Sequence, residues 1–325
     1  MNKIKLVVLG LGNYGRSWAE VIARSKDGVL VGVADRSEDA LNAVTLPVAK
    51  YTDINTAIEE QHPDAVVLVV PPHLHIPVSR SIVEKGVTVL CEKPICLDLE
   101  EAKAFYEDCL QDNRFCAIGE NFRYRPVMRE AKRLLTEGTI GKITRVNCFF
   151  SHFHPDASAF YHGALKHPLL SDTTIHHLDV ARYLMGSEPV NVLCTEHGAP
   201  HTWYGERPAS AEIISDMNDG SVFCYNGSLA AAISSTDWYG DWEIIGDRAT
   251  MRISGTKITL YTTETESSTW DIPDAGDTRE PLLEGFIRGV QENRASESDI
   301  RDNYFSFLWM QKAIESSEAG CKVEV

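Results

Sequence analysis

Ile4-Lys5-Leu6-Val7-Val8-Leu9-Gly10-Leu11-Gly12-Asn13-Tyr14-Gly15 is the stretch whose reading decides the fold. Ile4–Leu9 is an apolar run of strand length, and Tyr14–Ala23 carries the pattern of a helix. Between them the glycines fall as G-x-G-x-x-G, and each position has a physical reason. Gly10 permits a tight turn, Gly12 lets backbone approach a pyrophosphate, and Gly15 lets helix pack close on strand. Asn13 and Tyr14 complete the loop, where the helix start offers unpaired amides and a positive dipole end to phosphates. Asp35 ends the next apolar run, Leu30–Ala34, where a dinucleotide fingerprint places an acidic residue against a ribose. A carboxylate there repels a 2′-phosphate and favours NAD. Arg36 beside it can stack on adenine or meet that phosphate, which leaves NADP open.

The alternation continues outward. Ser37–Val44 reads as a helix with Ser37 as its N-cap, and Asp53 can cap a short helix over Ile54–Glu60. Ala65–Val70 is a continuous apolar strand, His75–Lys85 a helix stopped by Gly86, Val87–Cys91 a strand, Leu99–Gln111 a helix and Phe115–Ile118 a strand. Strands that are apolar throughout belong in a parallel sheet covered on both faces. The spacing predicts a doubly wound α/β domain over residues 1–120. From residue 121 to 325 the texture changes. Helices are expected over Pro126–Glu137 and Asp172–Met185, and Ile143–Phe153 alternates polar and apolar residues. Strands follow at Val190–Thr195, Ala211–Met217, Ser221–Leu229, Trp242–Ile245, Ala249–Ile253 and Lys257–Tyr261. Asn218-Asp219-Gly220 makes a tight hairpin and hence antiparallel neighbours. Helices near Pro281–Glu292 and Asp299–Ala319 come last, free to return toward the first domain.

A net charge of −16 argues against nucleic acid, whose binding needs clustered Lys and Arg, and against an anionic membrane surface. No apolar run approaches the ~20 residues that span a bilayer, and the apolar stretch after Met1 is too short for a signal peptide. Eight cysteines lie scattered without CxxC pairs, which fits reduced thiols in a cytoplasmic enzyme.

Glu92-Lys93-Pro94 directly follows a strand. Glu and Lys are seldom buried unless paired, and the carboxyl edge of a parallel sheet faces its ligand crevice. Lys93 is therefore a candidate for chemistry, with a structural ion pair to Glu92 as the bland alternative. Asp172-Thr173-Thr174-Ile175-His176 places a carboxylate and an imidazole four apart, on one face of a helix, with Asp172 near its positive end. Such a pair suits proton transfer, although Asp172 can also be an N-cap and His176 a satisfied core histidine. Histidines crowd this region at 152, 154, 162, 167, 176 and 177, yet without HExxH or paired cysteines, so no metal is expected.

These features together resemble the glucose-fructose oxidoreductase/inositol dehydrogenase (Gfo/Idh/MocA) family. The resemblance runs through the glycine loop, Pro71-Pro72-His73-Leu74-His75, Glu92-Lys93-Pro94, Asn121-Phe122-Arg123-Tyr124-Arg125-Pro126, Gly138-Thr139-Ile140-Gly141-Lys142-Ile143, the Asp172…His176…Asp179 pattern and Glu243-Ile244-Ile245-Gly246. It implies a Rossmann domain followed by an α/β domain with a large open, mostly antiparallel sheet that often joins subunits, so a homodimer or homotetramer is expected. It also implies NAD(P)-dependent oxidation or reduction of a sugar or polyol hydroxyl. By that resemblance Lys93 hydrogen-bonds the reacting oxygen, His176 is the general acid/base, and Asp172 binds a neighbouring hydroxyl or steers His176. Pro71, His75 and Glu92 fall on the cofactor side, His75 either touching the cofactor or capping a helix and Glu92 acting as a support. Arg123 and Tyr124 fall in the substrate-side loop, and Trp238 where an aromatic substrate contact is expected, with core or interface packing as its bland alternative. His154, Asp156 and Thr173 are further candidates, and Asp179 holds Arg182 or the local fold. A non-catalytic NAD-sensing regulator and an NAD-dependent glycosidase are the alternatives.

Overall fold

A computed structural model of the protein describes residues 3–111, 115–156, 161–263, 265–274 and 276–325. The chain divides into two compact units: Met1–Asn121 with Asp277–Tyr304, and Phe122–Gly276 with Phe305–Val325. A segment from late in the sequence thus belongs to the first unit.

In the first unit, strands β1 (Ile4–Leu9), β2 (Gly28–Ala34), β3 (Ala49–Tyr51), β4 (Ala65–Leu68), β5 (Thr88–Cys91) and β6 (Cys116–Ile118) form one sheet in the order β3-β2-β1-β4-β5-β6. Every pairing in it is parallel. The helices between them are α1 (Asn13–Arg24), α2 (Glu38–Asn42), α3 (Ile54–Gln61), α4 (His75–Val83) and α5 (Leu99–Gln111). The apolar runs become strands because both faces are covered: all four residues of β4 are buried. On α1, Trp18, Ala19, Val21 and Ile22 recur at helical spacing and face inward. Ser37 and Asp53 cap α2 and α3 as expected, accepting from the amides of Ala40 and Thr56. The strand expected over Ala65–Val70 stops at Leu68, since Val69 and Val70 already belong to the turn at the carboxyl edge. The strand order reverses between β1 and β4, and ligands of such sheets bind outside the strand ends at that point.

In the second unit, α6 (Pro126–Thr136) leads into β7 (Ile143–Ser151), and α7 (Ile175–Met185) precedes β8 (Asn191–Ala199), β9 (Gly205–Asp216), β10 (Val222–Ser228), β11 (Asp241–Gly246), β12 (Thr250–Ser254), β13 (Lys257–Tyr261) and β14 (Ser267–Asp271). After α8 (Arg279–Glu292) of the first unit, α9 (Ile300–Ala319) runs from the first unit into the second, and β15 (Val323–Glu324) follows. These strands form a sheet in the order β14-β13-β12-β11-β7-β10-β9-β8-β15. Among the described residues of this sheet, only β7 and β10 pair in parallel. The β9–β10 hairpin turns at Asn218-Asp219-Gly220, with Gly220 at φ +85°. β14 gives no sequence signal because its residues are all exposed and lack an apolar stripe.

The expected single helix Asp172–Met185 is corrected. Leu169–Thr174 is a π-helical turn, and the α-helix begins only at Ile175. A π turn closes through i→i+5 bonds, so α-helical spacing does not describe the relation of Asp172 to His176. Asp172 is also not an N-cap; that position belongs to Pro168.

Candidate active site

The glycine loop sits at the carboxyl end of β1. Gly10 has φ +92°, and a Cβ on it would lie 2.2 Å from the carbonyl oxygen of Val69. A Cβ on Gly15 would lie 1.8 Å from the carbonyl oxygen of Gly10. These two glycines are therefore required by the fold itself. Gly12 differs: it is exposed, and a Cβ there would meet nothing within 4 Å. Arg16 braces the loop, donating to the Leu11 carbonyl (2.9 Å) and to Asn13 Oδ1 (2.6 Å). Asp35 is tied to the same loop. Its Oδ2 accepts from the Leu11 amide at 2.7 Å and its Oδ1 from the Ser37 amide at 2.9 Å. Arg36 is exposed beside it, and Tyr14 lies under the Arg279 guanidinium, 4.8 Å from ring centre.

Two strands along the same edge, β5 delivers Glu92 and Lys93. Glu92 is buried, and its Oε1 accepts from the Trp18 indole at 2.6 Å while its Oε2 accepts from the Lys93 amide at 3.1 Å. Gly119, after β6, leaves room for this carboxylate: a Cβ there would stand 3.0 Å from Glu92 Oε1. Lys93 is half-buried, and its peptide to Pro94 is cis. Pro71 is exposed and starts a short 3-10 turn. The expectation that His75 touches the cofactor is corrected. It is 1% exposed, and its two ring nitrogens lie 2.7 Å from the Pro94 carbonyl and 2.8 Å from the Val70 carbonyl. Burial holds its pKa below the ordinary value, and a neutral imidazole donates to one of these two carbonyls, so His75 is packed inside the unit between the β4 and β5 turns.

In the second unit His176 is buried in the first turn of α7, and the Phe122 ring stacks on it with centroids 4.2 Å apart and planes 11° apart. Phe122 also meets the Tyr239 ring, over which Arg125 lies at 4.0 Å. The neighbouring His177 is fully buried and fully used: Nδ1 is 3.2 Å from the Tyr225 hydroxyl and Nε2 3.0 Å from the Trp238 carbonyl. Burial pushes its pKa down to about 3, so it is neutral. Two adjacent histidines thus have different surroundings. His177 is held at both nitrogens and kept neutral, and His176 stacks on the Phe122 ring. Asp172 is half-buried, and its charge, after burial, raises the phenol pKa of Tyr204. Thr173 is buried.

Arg123 and Tyr124 are also corrected. Arg123 is 3% exposed and grips Asp179 with two nitrogens, Nε at 2.7 Å, while Asp179 takes a third donor from Ser306 at 2.9 Å. A guanidinium buried in this way and paired with a buried carboxylate acts as an internal strut. Tyr124 is buried under Arg129, 4.2 Å from its ring centre. Asp179 holds Arg123, whereas Arg182 turns to Glu188 and Ser306. Trp238 is 38% exposed and packs on His152 at 4.1 Å, with His154 edge-on at 5.8 Å. Trp203 and Tyr204 extend this aromatic cluster, Trp203 lying 5.6 Å from His154. Sequence reasoning missed both, for they lie in a turn without a motif. Residues 157–160 of the irregular His152–His167 segment lie outside the described residues, as do the side chains of Tyr161 and His162. Among the described residues, no group of three His, Cys, Asp or Glu side chains could hold a metal ion, and no helix is long and apolar enough to cross a membrane. The eight cysteines are all free.

Residues 4–120 match the family described as "Oxidoreductase family, NAD-binding Rossmann fold", and residues 128–260 match the "GFO/IDH/MocA C-terminal domain". Scyllo-inositol 2-dehydrogenase (NAD(+)) of Bacillus subtilis is 32% identical over 197 residues, 59% of this chain and 56% of that protein. Inositol 2-dehydrogenase of Rhizobium meliloti is 29% identical over 193 residues, 59% of this chain and 58% of that protein. The match thus spans little more than half the length of these relatives. Among solved structures, an Agrobacterium radiobacter oxidoreductase in complex with NAD+, L-tartaric acid and magnesium superposes with a TM-score of 0.91 at 18% identity, covering 99% of this chain and 98% of that one. An inositol dehydrogenase homolog from Azotobacter vinelandii, complexed with NADH and myo-inositol, superposes with a TM-score of 0.84 at 17% identity, covering 100% and 98%. At these identities the likeness establishes the fold. With both halves matched to the same family, each over its own domain, the chain belongs to the Gfo/Idh/MocA oxidoreductases.

Proposed function

We propose that the protein oxidises or reduces a secondary hydroxyl or keto group of a sugar, cyclitol or sugar derivative, using NAD. The observation that carries this reading is the carboxyl edge of the parallel sheet, where an open glycine loop and a half-buried lysine stand on β1 and β5. The loop fits the cofactor. Gly12 is exposed with open space where a side chain would go, which suits close approach of a pyrophosphate, and it is the N-cap of α1, whose first amides favour an anion. Asp35, held by two amides, keeps lone pairs for ribose hydroxyls and sets a negative charge against a 2′-phosphate. Bound NAD supplies the hydride acceptor; the proton is left to the protein.

Removing hydride from a secondary alcohol builds carbonyl character while the hydroxyl proton leaves. His176 is assigned the proton, because an imidazole can take a proton and return it. Lys93 is assigned the developing charge on oxygen, with Glu92 fixing its backbone. Asp172 binds a neighbouring hydroxyl or steers His176. The aromatic surface of Trp238 and His154 suits the apolar face of a ring. We assign assembly into a homodimer or homotetramer to the second unit's sheet, where Leu193 and Ile214 stand side by side and exposed.

The test is a panel of polyols, aldoses, glycosides and uronates, read by absorbance of reduced cofactor with NAD and NADP in parallel. Net NADH with a cyclitol or free sugar supports the proposal. Glycoside cleavage without net NADH, or cofactor binding with no turnover across the panel, would replace it with a glycosidase or a regulator.

A further inference from the structure

Trp18 lies on the inward face of α1, four residues after the tyrosine of the glycine loop, and is fully buried. Its indole N–H donates to Glu92 Oε1 at 2.6 Å, a short bond to a charged acceptor. The other oxygen of the same carboxylate accepts from the backbone amide of Lys93. From the β6 side, Gly119 comes so close that a Cβ would stand 3.0 Å from Oε1 and 3.1 Å from both Cδ and Oε2. The carboxylate is thus seated from two sides, and each of its oxygens has a fixed donor. Arg279 lies over the rings of Tyr14 and Trp18, at 4.8 Å and 5.4 Å, and donates to Ser17 at 2.7 Å, so the indole is itself backed within this unit.

We propose that Trp18 is a positioning residue which, with Gly119, fixes the Glu92 carboxylate and through it the backbone that carries Lys93, coupling the helix of the glycine loop to the lysine turn. This rests on the catalytic assignment of Lys93. It assigns Trp18 no contact with substrate. An indole suits this role because its single donor sits on a rigid ring with few rotamers, so the bond defines position as well as supplying energy. A Cβ-less residue at 119 suits it because any side chain would press on the carboxylate.

Trp18→Phe keeps an aromatic ring and removes the donor. Gly119→Ala presses on the same carboxylate from the opposite side. With the panel polyol of highest rate, each change is expected to lower kcat about ten- to a hundredfold, the scale for slight misplacement of a reacting group. NAD affinity by calorimetry and the KM for NAD are expected to stay within about twofold. The double variant is expected to lose little more than either single one, because both act through one carboxylate. If Trp18→Phe does not fold, Gly119→Ala with the conservative Glu92→Gln carries the same comparison. Wild-type kcat in Trp18→Phe or Gly119→Ala would overturn the inference, as would a loss of NAD affinity in step with kcat. Lys93→Ala in parallel separates the two levels. If that variant loses turnover while Trp18→Phe does not, only the positioning role fails. If it keeps turnover, or if no polyol yields NADH, the underlying reading fails and takes the positioning role with it.

Discussion

Gly12 is the residue whose replacement separates fold from cofactor binding. Its φ of −56° is open to any L-residue, and a Cβ there meets nothing within 4 Å. Gly12→Ala should therefore be built into the folded protein without strain. Restricting the unfolded chain favours alanine by about 0.4–1 kcal/mol. Against that, Gly12 is the N-cap of α1, a position where alanine is poorer than glycine by roughly a similar amount. The two effects offset, and stability should stay within about 1 kcal/mol of wild type. Cofactor affinity should not: the methyl occupies the approach to the loop backbone, and a loss of about tenfold or more in Kd for NAD, about 1.4 kcal/mol, is expected. Gly15→Ala is the contrasting control, since its Cβ would lie 1.8 Å from a backbone oxygen. It should lose stability and binding together. Urea unfolding gives the first quantity and calorimetric titration with NAD the second. Gly12→Ala binding NAD as tightly as wild type would refute the assignment of the open loop to the pyrophosphate.

Asp179→Asn removes the charge that Arg123 grips while leaving a buried guanidinium behind, so it should cost about 3–5 kcal/mol in urea unfolding; a change under about 1 kcal/mol would refute the strut. His177 is neutral in the folded protein, with its pKa pushed to about 3 by burial, against about 6.5 unfolded. A depressed folded pKa stabilises above the unfolded value and loses that contribution as pH falls. Its share of the loss between pH 7 and pH 5 is about 2 kcal/mol, and an NMR titration of the His177 ring that showed protonation near pH 6 would contradict it.

The glycine loop, the parallel sheet and the two caps are legible in the sequence because their signals are local: a spacing of a few residues dictates the turn and the dipole. Arg123 misleads for the opposite reason. The family resemblance places it in a substrate-side loop, whereas its partner Asp179 lies on another element 56 positions away. Periodicity points to a helix at Asp172, but the sequence carries no mark of a change from i→i+4 to i→i+5 bonding, so the π turn is invisible there. His75 follows a strand end and so invites a place beside the cofactor; only the fold brings the Val70 and Pro94 carbonyls to its two nitrogens. Trp18 belongs to no motif, and its polar atom matters only because Glu92 arrives from β5.

The proposed chemistry is tested most directly by Lys93→Ala, assayed for NADH production on the panel polyol and for NAD binding by calorimetry. With Lys93 stabilising the reacting oxygen, kcat should fall about 10²–10³-fold while the Kd for NAD stays within about twofold. Undiminished turnover in that variant would contradict it.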